Sequence, residues 1–201
     1  MTTRNLVIMV KTPRAGRVKT RLSRDIGQIP ATYFYRSLVT NVIRRVSADT
    51  RWNTVLAVAP DTDIIHPFWP AHLPRIAQGQ GDLGHRMQHV MEIMPAGPTV
   101  IIGTDIPEIA PEHISAAFRA LGSHDAVFGP ADDGGYWLVG LRRSPRVLQP
   151  FKNVRWSSEH TLSDTLANLK GASIKQIMTL RDVDSGDEYH DLKSIASRLI
   201  L

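Results

Sequence analysis

Leu6-Val-Ile-Met-Val10, followed directly by Lys11-Thr-Pro-Arg-Ala-Gly-Arg-Val-Lys-Thr-Arg-Leu22, is the stretch whose reading decides the fold. Five consecutive apolar residues with no polar alternation describe a strand buried on both faces, as the strands of a parallel sheet are. The segment after it is punctuated by Pro13 and Gly16 and ends where a helix can start. Backbone N–H groups at such a strand-to-helix turn attract phosphate, and Lys11, Lys19 and Arg21 supply charge. The spacing is not that of a Walker loop, because Gly, Lys and Thr are not contiguous. A solvated basic loop is the plain alternative, and a polyphosphate site is the expectation favoured here.

Outward from this stretch the chain alternates strand and helix. A helix is expected from Pro30 to about Ala48, with Tyr33, Phe34, Leu38, Val42, Ile43 and Val46 on one face. Asn53–Ala59 reads as a second buried strand, the region 60–74 as no clear element, and Arg75–Gln78 as a brief strand. Leu83–Met94 reads as a helix capped by Asp82. Thr99–Gly103 is a strand and Pro111–Leu121 a helix that opens on proline. Strands at Ala126–Phe128 and Tyr136–Leu141 flank a Gly- and Asp-rich loop. A helix at His160–Leu169, a strand at Ile174–Leu180 and a last helix from about Asp187 to Ile200 complete the series. This alternation implies an α/β fold, three-layered α/β/α around a mostly parallel Rossmann-like sheet, with ligands beyond the carboxyl ends of the strands. One domain over residues 1–201 is expected from the length.

Composition narrows the function classes. The chain has no cysteine, which excludes disulfide frameworks, zinc fingers and thiol nucleophiles. The net charge of +5 invites a nucleic-acid reading, but seven of the 24 basic side chains and none of the 19 acidic ones lie in residues 1–24. The rest of the chain is slightly acidic, and no aromatics interleave the basic residues. Neither nucleic acid nor a membrane is therefore expected as partner. The Arg-rich start is not read as a transit peptide, since Pro13 and Gly16 break any presequence helix. With no secretory cleavage pattern, a cytoplasmic location is expected.

Four further loops could carry chemistry. Gly103-Thr-Asp105-Ile-Pro107 follows an apolar strand, where a carboxylate is well placed to hold Mg²⁺ or simply to cap the turn. Asp182-Val-Asp184 follows the last expected strand and could converge with Asp105. Asp132-Asp-Gly-Gly-Tyr136 is either a ligand-approaching loop or a plain β-hairpin turn. Gly79-Gln-Gly81-Asp-Leu-Gly84 matches the dinucleotide fingerprint letter by letter. Its preceding strand is very short, however, and Asp82 would set a negative charge where a pyrophosphate must lie. Trp156-Ser-Ser158 is a candidate wall for an acceptor pocket, although a lone tryptophan is more often core. His85 and His89, four apart on a helix, have neither a Glu beside them nor a third ligand in view.

In this order, Lys11-Thr-Pro…Gly16-Arg-Val-Lys-Thr-Arg-Leu22, Gly81-Asp-Leu-Gly-His-Arg-Met87, Gly103-Thr-Asp-Ile-Pro107, Gly129-Pro-Ala-Asp-Asp-Gly-Gly-Tyr136, Trp156-Ser-Ser158 and Asp182-Val-Asp184 resemble a bacterial family. It is the nucleotide-diphospho-sugar transferase-like (GT-A-like) family, some of whose members are labelled arsenosugar-biosynthesis glycosyltransferases. Phospholactate guanylyltransferase and the molybdenum-cofactor guanylyl- and cytidylyltransferases are more distantly similar. The resemblance runs from Leu6 to about Leu192.

The resemblance implies that Lys11, Gly16, Lys19 and Arg21 meet nucleotide phosphates, and that Gln78, Gly81, Asp82 and Gly84 lie near the base. It implies Asp105 and Asp184, with Asp182, as ligands of Mg²⁺ or Mn²⁺. Gly134, Gly135, Tyr136, Trp156 and Ser157 would form the acceptor side, and Asp133 is the candidate base. Two departures from the family pattern stand out: His85 replaces a usual acid, and the usual Asp-x-Asp-Thr-Pro-x-Asp ending is here Asp182-Val-Asp-Ser-Gly-Asp-Glu188. The expected activity is a metal-dependent transfer that uses a nucleotide (NTP or nucleotide sugar) and a small-molecule acceptor. Nucleotidyl transfer from an NTP and glycosyl transfer from a nucleotide sugar both remain open. A nicotinamide-dependent oxidoreductase and a nucleic-acid-binding module are the rivals from other classes.

Overall fold

The computed structural model describes residues 3–143 and 147–198. Seven strands form one sheet: β1 (Asn5–Lys11), β2 (Asn53–Ala59), β3 (Arg75–Ala77), β4 (Thr99–Ile102), β5 (Ala126–Pro130), β6 (Tyr136–Leu141) and β7 (Ile174–Gln176). Among the described residues six α-helices accompany them: α1 (Leu22–Ile26), α2 (Gln28–Ser47), α3 (Leu83–Ile93), α4 (Pro111–Ala120), α5 (Thr161–Ala167) and α6 (Gly186–Arg198). The sheet order is β3-β2-β1-β4-β6-β5-β7. β6 alone runs antiparallel to its neighbours β4 and β5, and the other pairs are parallel.

The period of two along β1 sorts its side chains between two cores. Leu6, Ile8 and Val10 face α2 and α4, together with Val100 and Ile102 of β4. Val7 and Met9 face the opposite side, where Met87, Val90 and Met91 of α3 and Leu162 and Leu166 of α5 pack. The unbroken apolar runs of β1 and β4 are thus explained by helices on both faces, giving the three-layer α/β/α arrangement expected.

Two elements differ notably from their expected form. Helix α2 buries Ala31, Tyr35, Leu38, Val39, Val42, Ile43 and Val46, a spacing of three and four residues that excludes Tyr33, which is exposed. Strand β7 stops at Gln176 rather than Leu180. A bulge at Gly129–Pro130 ends its partner's regular ladder, and only an isolated bridge joins Leu180 to Ala131. The described part of α6 ends at Arg198, so its expected end at Ile200 lies outside the described residues. Among the described residues no helix is long and apolar enough to cross a membrane.

Chain order creates one position of special importance. The chain moves from β1 outward to β2 and β3, then returns to the other side of β1 as β4. The loops leaving β1 and β4 therefore diverge at a topological switch point, where α/β sheets open a crevice for ligands.

Candidate active site

A crevice of about 700 Å³ opens at this switch point. Its lining draws on the end of β1 and the loop after it (Lys11, Lys19, Arg21), the turn after β4 (Asp105), the β5–β6 turn with the start of β6 (Asp133, Gly135, Tyr136) and the segment after β7 (Asp182, Asp184). Gln78, Trp156 and Ser157 also line it. Because β6 is antiparallel, the turn that precedes it lies at the same edge as the carboxyl ends of the parallel strands. Gly16, Gly81, Asp82, Gly84 and Gly134 are not part of the lining.

The decisive contact joins two distant loops. Lys19 Nζ lies 2.6 Å from Asp105 Oδ1 and 2.7 Å from Asp184 Oδ1. The lysine side chain is 3% exposed, whereas those of Asp105 and Asp184 are 55% and 38% exposed. Burial disfavours the ammonium, but the two carboxylates outweigh it and hold the Lys19 pKa above its ordinary value. Lys19 reaches this place through a left-handed backbone, φ +45°, which is costly for a residue with a Cβ. The expected meeting of the 182–184 segment with Asp105 is also made in the backbone, where Val183 N–H donates to Asp105 C=O at 3.3 Å.

Asp184 is held by local chemistry at the start of α6. Glu188 Oε2 accepts from the N–H groups of Asp184 and Ser185, each at 2.8 Å, while Ser185 Oγ accepts from Glu188 N–H. This is a capping box, encoded by Ser185-Gly-Asp-Glu188. Gly186 N–H donates to Asp25 of α1 at 2.8 Å, tying the basic loop's helix to the same place. Asp182 is half-buried, and its carboxyl is pushed up to about 6 by burial, then by the charges of Asp184 and Asp133.

The residues expected near a base have local duties as well. Gln78 is buried, and its amide donates to Val10 C=O at 3.0 Å and Ala57 C=O at 2.8 Å. Its Oε1 accepts from Arg86 at 3.1 Å. Asp82 caps α3, accepting from His85 N–H at 2.9 Å and facing His85 Nδ1 at 2.8 Å. A Cβ on Gly84 would come within 2.6 Å of Trp156 Cζ2 and 2.8 Å of Phe151 C=O. Gly84 thus serves the packing of α3 against the 151–156 loop. Gly16 turns the exposed loop with φ +73°.

On the opposite wall, Asp133 Oδ1 accepts from Gly135 N–H at 2.8 Å, so the loop is both hairpin turn and crevice wall. Gly134 has φ +83°, and a Cβ there would run into the backbone of Glu159. The 131–135 turn is thereby set against the 156–159 segment, and Leu162 N–H donates to Gly134 C=O at 3.0 Å. Tyr136 is largely buried, and burial raises its phenol pKa. Sequence reasoning missed Tyr35, Arg86 and Glu159, which also line the crevice. Tyr35 Oη lies 3.0 Å from Lys11 N and 3.1 Å from Lys11 O, clamping the end of β1. Its signal was the buried α2 spacing, and that of Arg86 was the Gly81–Met87 segment.

As to a metal, Asp105 and Asp184 are hard oxygen donors that already converge on one positive charge and remain open to the crevice. Mg²⁺ and Mn²⁺, which take oxygen ligands, would suit such a pair. Among the described residues no group of three or more His, Asp or Glu could hold a metal by itself. The pair therefore fits a metal shared with a ligand rather than a closed protein site.

The family model DUF2064, described as an uncharacterized protein conserved in bacteria, matches residues 42–158, more than half of the chain. The chain belongs to this family. It is also similar to a candidate nucleotide-diphospho-sugar transferase from Desulfovibrio desulfuricans G20, with 30% identity and a TM-score of 0.87, over 96% of this chain and 87% of that one. Two more distant likenesses show the fold alone. A CMP:2-keto-3-deoxy-manno-octonic acid synthetase complexed with CTP is 12% identical, with a TM-score of 0.60, over 98% and 99% of the two chains. Rv0371c of Mycobacterium tuberculosis H37Rv, in complex with manganese, is 16% identical, with a TM-score of 0.56, over 95% and 97%. No protein of curated function matches. This DUF2064 chain thus has the α/β fold of nucleotide-diphospho-sugar transferase structures, and the expected kinship holds.

Proposed function

We propose that residues 1–201 form a single domain that catalyses metal-dependent nucleotidyl transfer from an NTP to a small phosphorylated or hydroxylated acceptor. The observation that carries this reading is the Lys19–Asp105–Asp184 triad at the mouth of the switch-point crevice, beside the exposed Arg17 and Arg21. Carboxylates facing a basic loop suit a polyphosphate that arrives with its own metal. Asp105 and Asp184, with Asp182 nearby, would hold Mg²⁺ or Mn²⁺, which supplies charge neutralisation at the phosphates when bound.

The chain's own groups do the rest. Lys19 and Arg21 stabilise the pyrophosphate that leaves as the acceptor oxygen attacks the α-phosphorus. Lys11 and Gly16 shape the loop around the phosphates, and Gln78 orients Arg86 at the base side of the crevice. Gly135, Tyr136, Trp156 and Ser157 bound the acceptor space, and Asp133 takes the acceptor's proton. A cytoplasmic location, where nucleoside triphosphates are made and used, belongs to the same proposal.

Glycosyl transfer from a nucleotide sugar is the second reading, favoured by the name given to the similar Desulfovibrio protein. A thermal-shift panel of NTPs and nucleotide sugars with Mg²⁺ or Mn²⁺ tests both readings. Release of pyrophosphate marks the first and release of nucleoside diphosphate the second. Asp105→Ala should abolish metal-dependent nucleotide binding with the fold intact. Unchanged binding, or stabilisation by no nucleotide at all, would overturn the proposal.

A further inference from the structure

We propose that Lys19 is the resident cation of the carboxylate pair, which a divalent metal must displace, so that metal and nucleotide bind as linked events. This rests on the metal reading above and concerns how that site is controlled. Lys19 Nζ makes ion pairs at 2.6 and 2.7 Å with one oxygen, Oδ1, of each of the two carboxylates that would hold the metal. An ammonium seated between both carboxylates and a divalent cation drawn to the same pair repel each other at such short range, so each weakens the other's hold on the site.

The arrangement is built rather than incidental. Arg17, Thr20 and Arg21 of the same loop are exposed, while the Lys19 side chain is almost wholly covered. The left-handed backbone at Lys19 turns this one cation inward. The capping box on Glu188 and the backbone bond from Val183 to Asp105 fix the main chain that carries the two carboxylates from outside the loop. The lysine has the longest and most flexible side chain of the three and can swing away, whereas the backbone beneath the carboxylates is held.

A consequence for binding follows. Metal arriving alone must break two ion pairs and leave a buried amine without a partner. Metal arriving with a polyphosphate gives the displaced ammonium a new anionic partner in the same crevice. Binding of the pair is therefore favoured over binding of metal alone, and the coupling is reciprocal.

The test uses the full chain and Mn²⁺ as probe. Free Mn²⁺ is followed by electron paramagnetic resonance in titrations of the wild type, Lys19→Met and Asp105→Asn. The expected result is that Lys19→Met binds Mn²⁺ alone about tenfold more tightly than the wild type, within the range usual for linked sites. Asp105→Asn should lose binding. In parallel, acetylation of the wild type by an N-hydroxysuccinimide ester, read by mass spectrometry, should leave Lys19 unmodified until Mn²⁺ is added. This arm does not depend on the variant folding. Equal or weaker Mn²⁺ affinity in Lys19→Met, or Lys19 labelling unchanged by saturating Mn²⁺, would overturn the inference while a loss in Asp105→Asn upheld the metal site. Full affinity in Asp105→Asn would instead overturn the metal reading itself, and this inference with it.

Discussion

Gly84→Ala separates two roles that one glycine could have. The third glycine of the pattern Gly79–Gly84 would serve a dinucleotide in the fingerprint reading, but in the fold it is a packing position in the first turn of α3. Two effects oppose each other. Alanine in place of glycine favours a helix by up to about 1 kcal/mol. Against this, the new Cβ would meet Trp156 Cζ2 at 2.6 Å and the Phe151 carbonyl at 2.8 Å. Overpacking of this kind costs about 1–3 kcal/mol. The carbonyl cannot swing aside cheaply, because Asn168 donates to the C=O groups on either side of it, Pro150 at 2.9 Å and Lys152 at 2.7 Å. The clash should therefore win, with a net loss of about 2 kcal/mol and a fall in Tm of about 4–8 °C for a domain of this size. Thermal unfolding followed by circular dichroism measures it. A double-mutant cycle with Trp156→Ala should show favourable coupling, since the indole supplies the nearest contact. A Tm at or above that of the wild type would refute the packing argument, and weakened NADH binding at unchanged Tm would favour the dinucleotide role.

Further outcomes can be stated for three other positions. Asp182→Asn addresses a carboxyl raised to about 6 from its ordinary value. The native state holds its proton more tightly than the unfolded chain does, so stability falls as pH rises from about 4 through 6 and the penalty is complete above. The variant should be more stable than the wild type at pH 7, by about 1 kcal/mol after solvent screening of this half-buried group is allowed for, and no more stable below pH 4. Urea unfolding at both pH values checks this, and a difference independent of pH would count against it. Gln78→Leu strips two carbonyls and Arg86 of partners at a buried position and should cost about 2–3 kcal/mol in chemical denaturation; a neutral result would show the amide is dispensable. Glu188→Ala removes the acceptor of two N–H groups at the start of α6 and should cost about 1 kcal/mol. It should also weaken Mn²⁺ binding through Asp184, so an unaltered metal affinity would deny the box any part in holding that carboxylate.

Much of the fold was legible because its elements declare themselves locally. The apolar runs of β1, β2 and β4 need helices on both faces, and Asp82 before Leu83 announces the start of α3. Tyr33 misled because it is aromatic, while the buried spacing belongs to Tyr35. The insertion of β6 between β4 and β5 is a fact of pairing across the chain, and no local pattern encodes it. At the site, the loops expected after β1 and β4 do open on one crevice, as parallel topology requires. That Lys19 would enter between Asp105 and Asp184 could not be read, because a basic loop gives no hint of which cation turns inward. The capping box is legible as Ser185-x-x-Glu188, but its carboxylate stands in a run with Asp182, Asp184 and Asp187, and spacing alone does not say which of these acids caps the helix.

The antiparallel strand β6 has a further meaning for cooperativity. It divides the sheet into a parallel half, β3-β2-β1-β4, and a second half, β6-β5-β7, joined in the sheet by the β4–β6 ladder. Lys19 and Asp105 belong to the first half, and Asp133, Asp182 and Asp184 follow strands of the second. Either half could keep its own hydrogen bonds while that seam opens, yet the acidic cluster would come apart. The site therefore reports on the integrity of the seam, and ligands that bridge it act as a latch between two units of the fold.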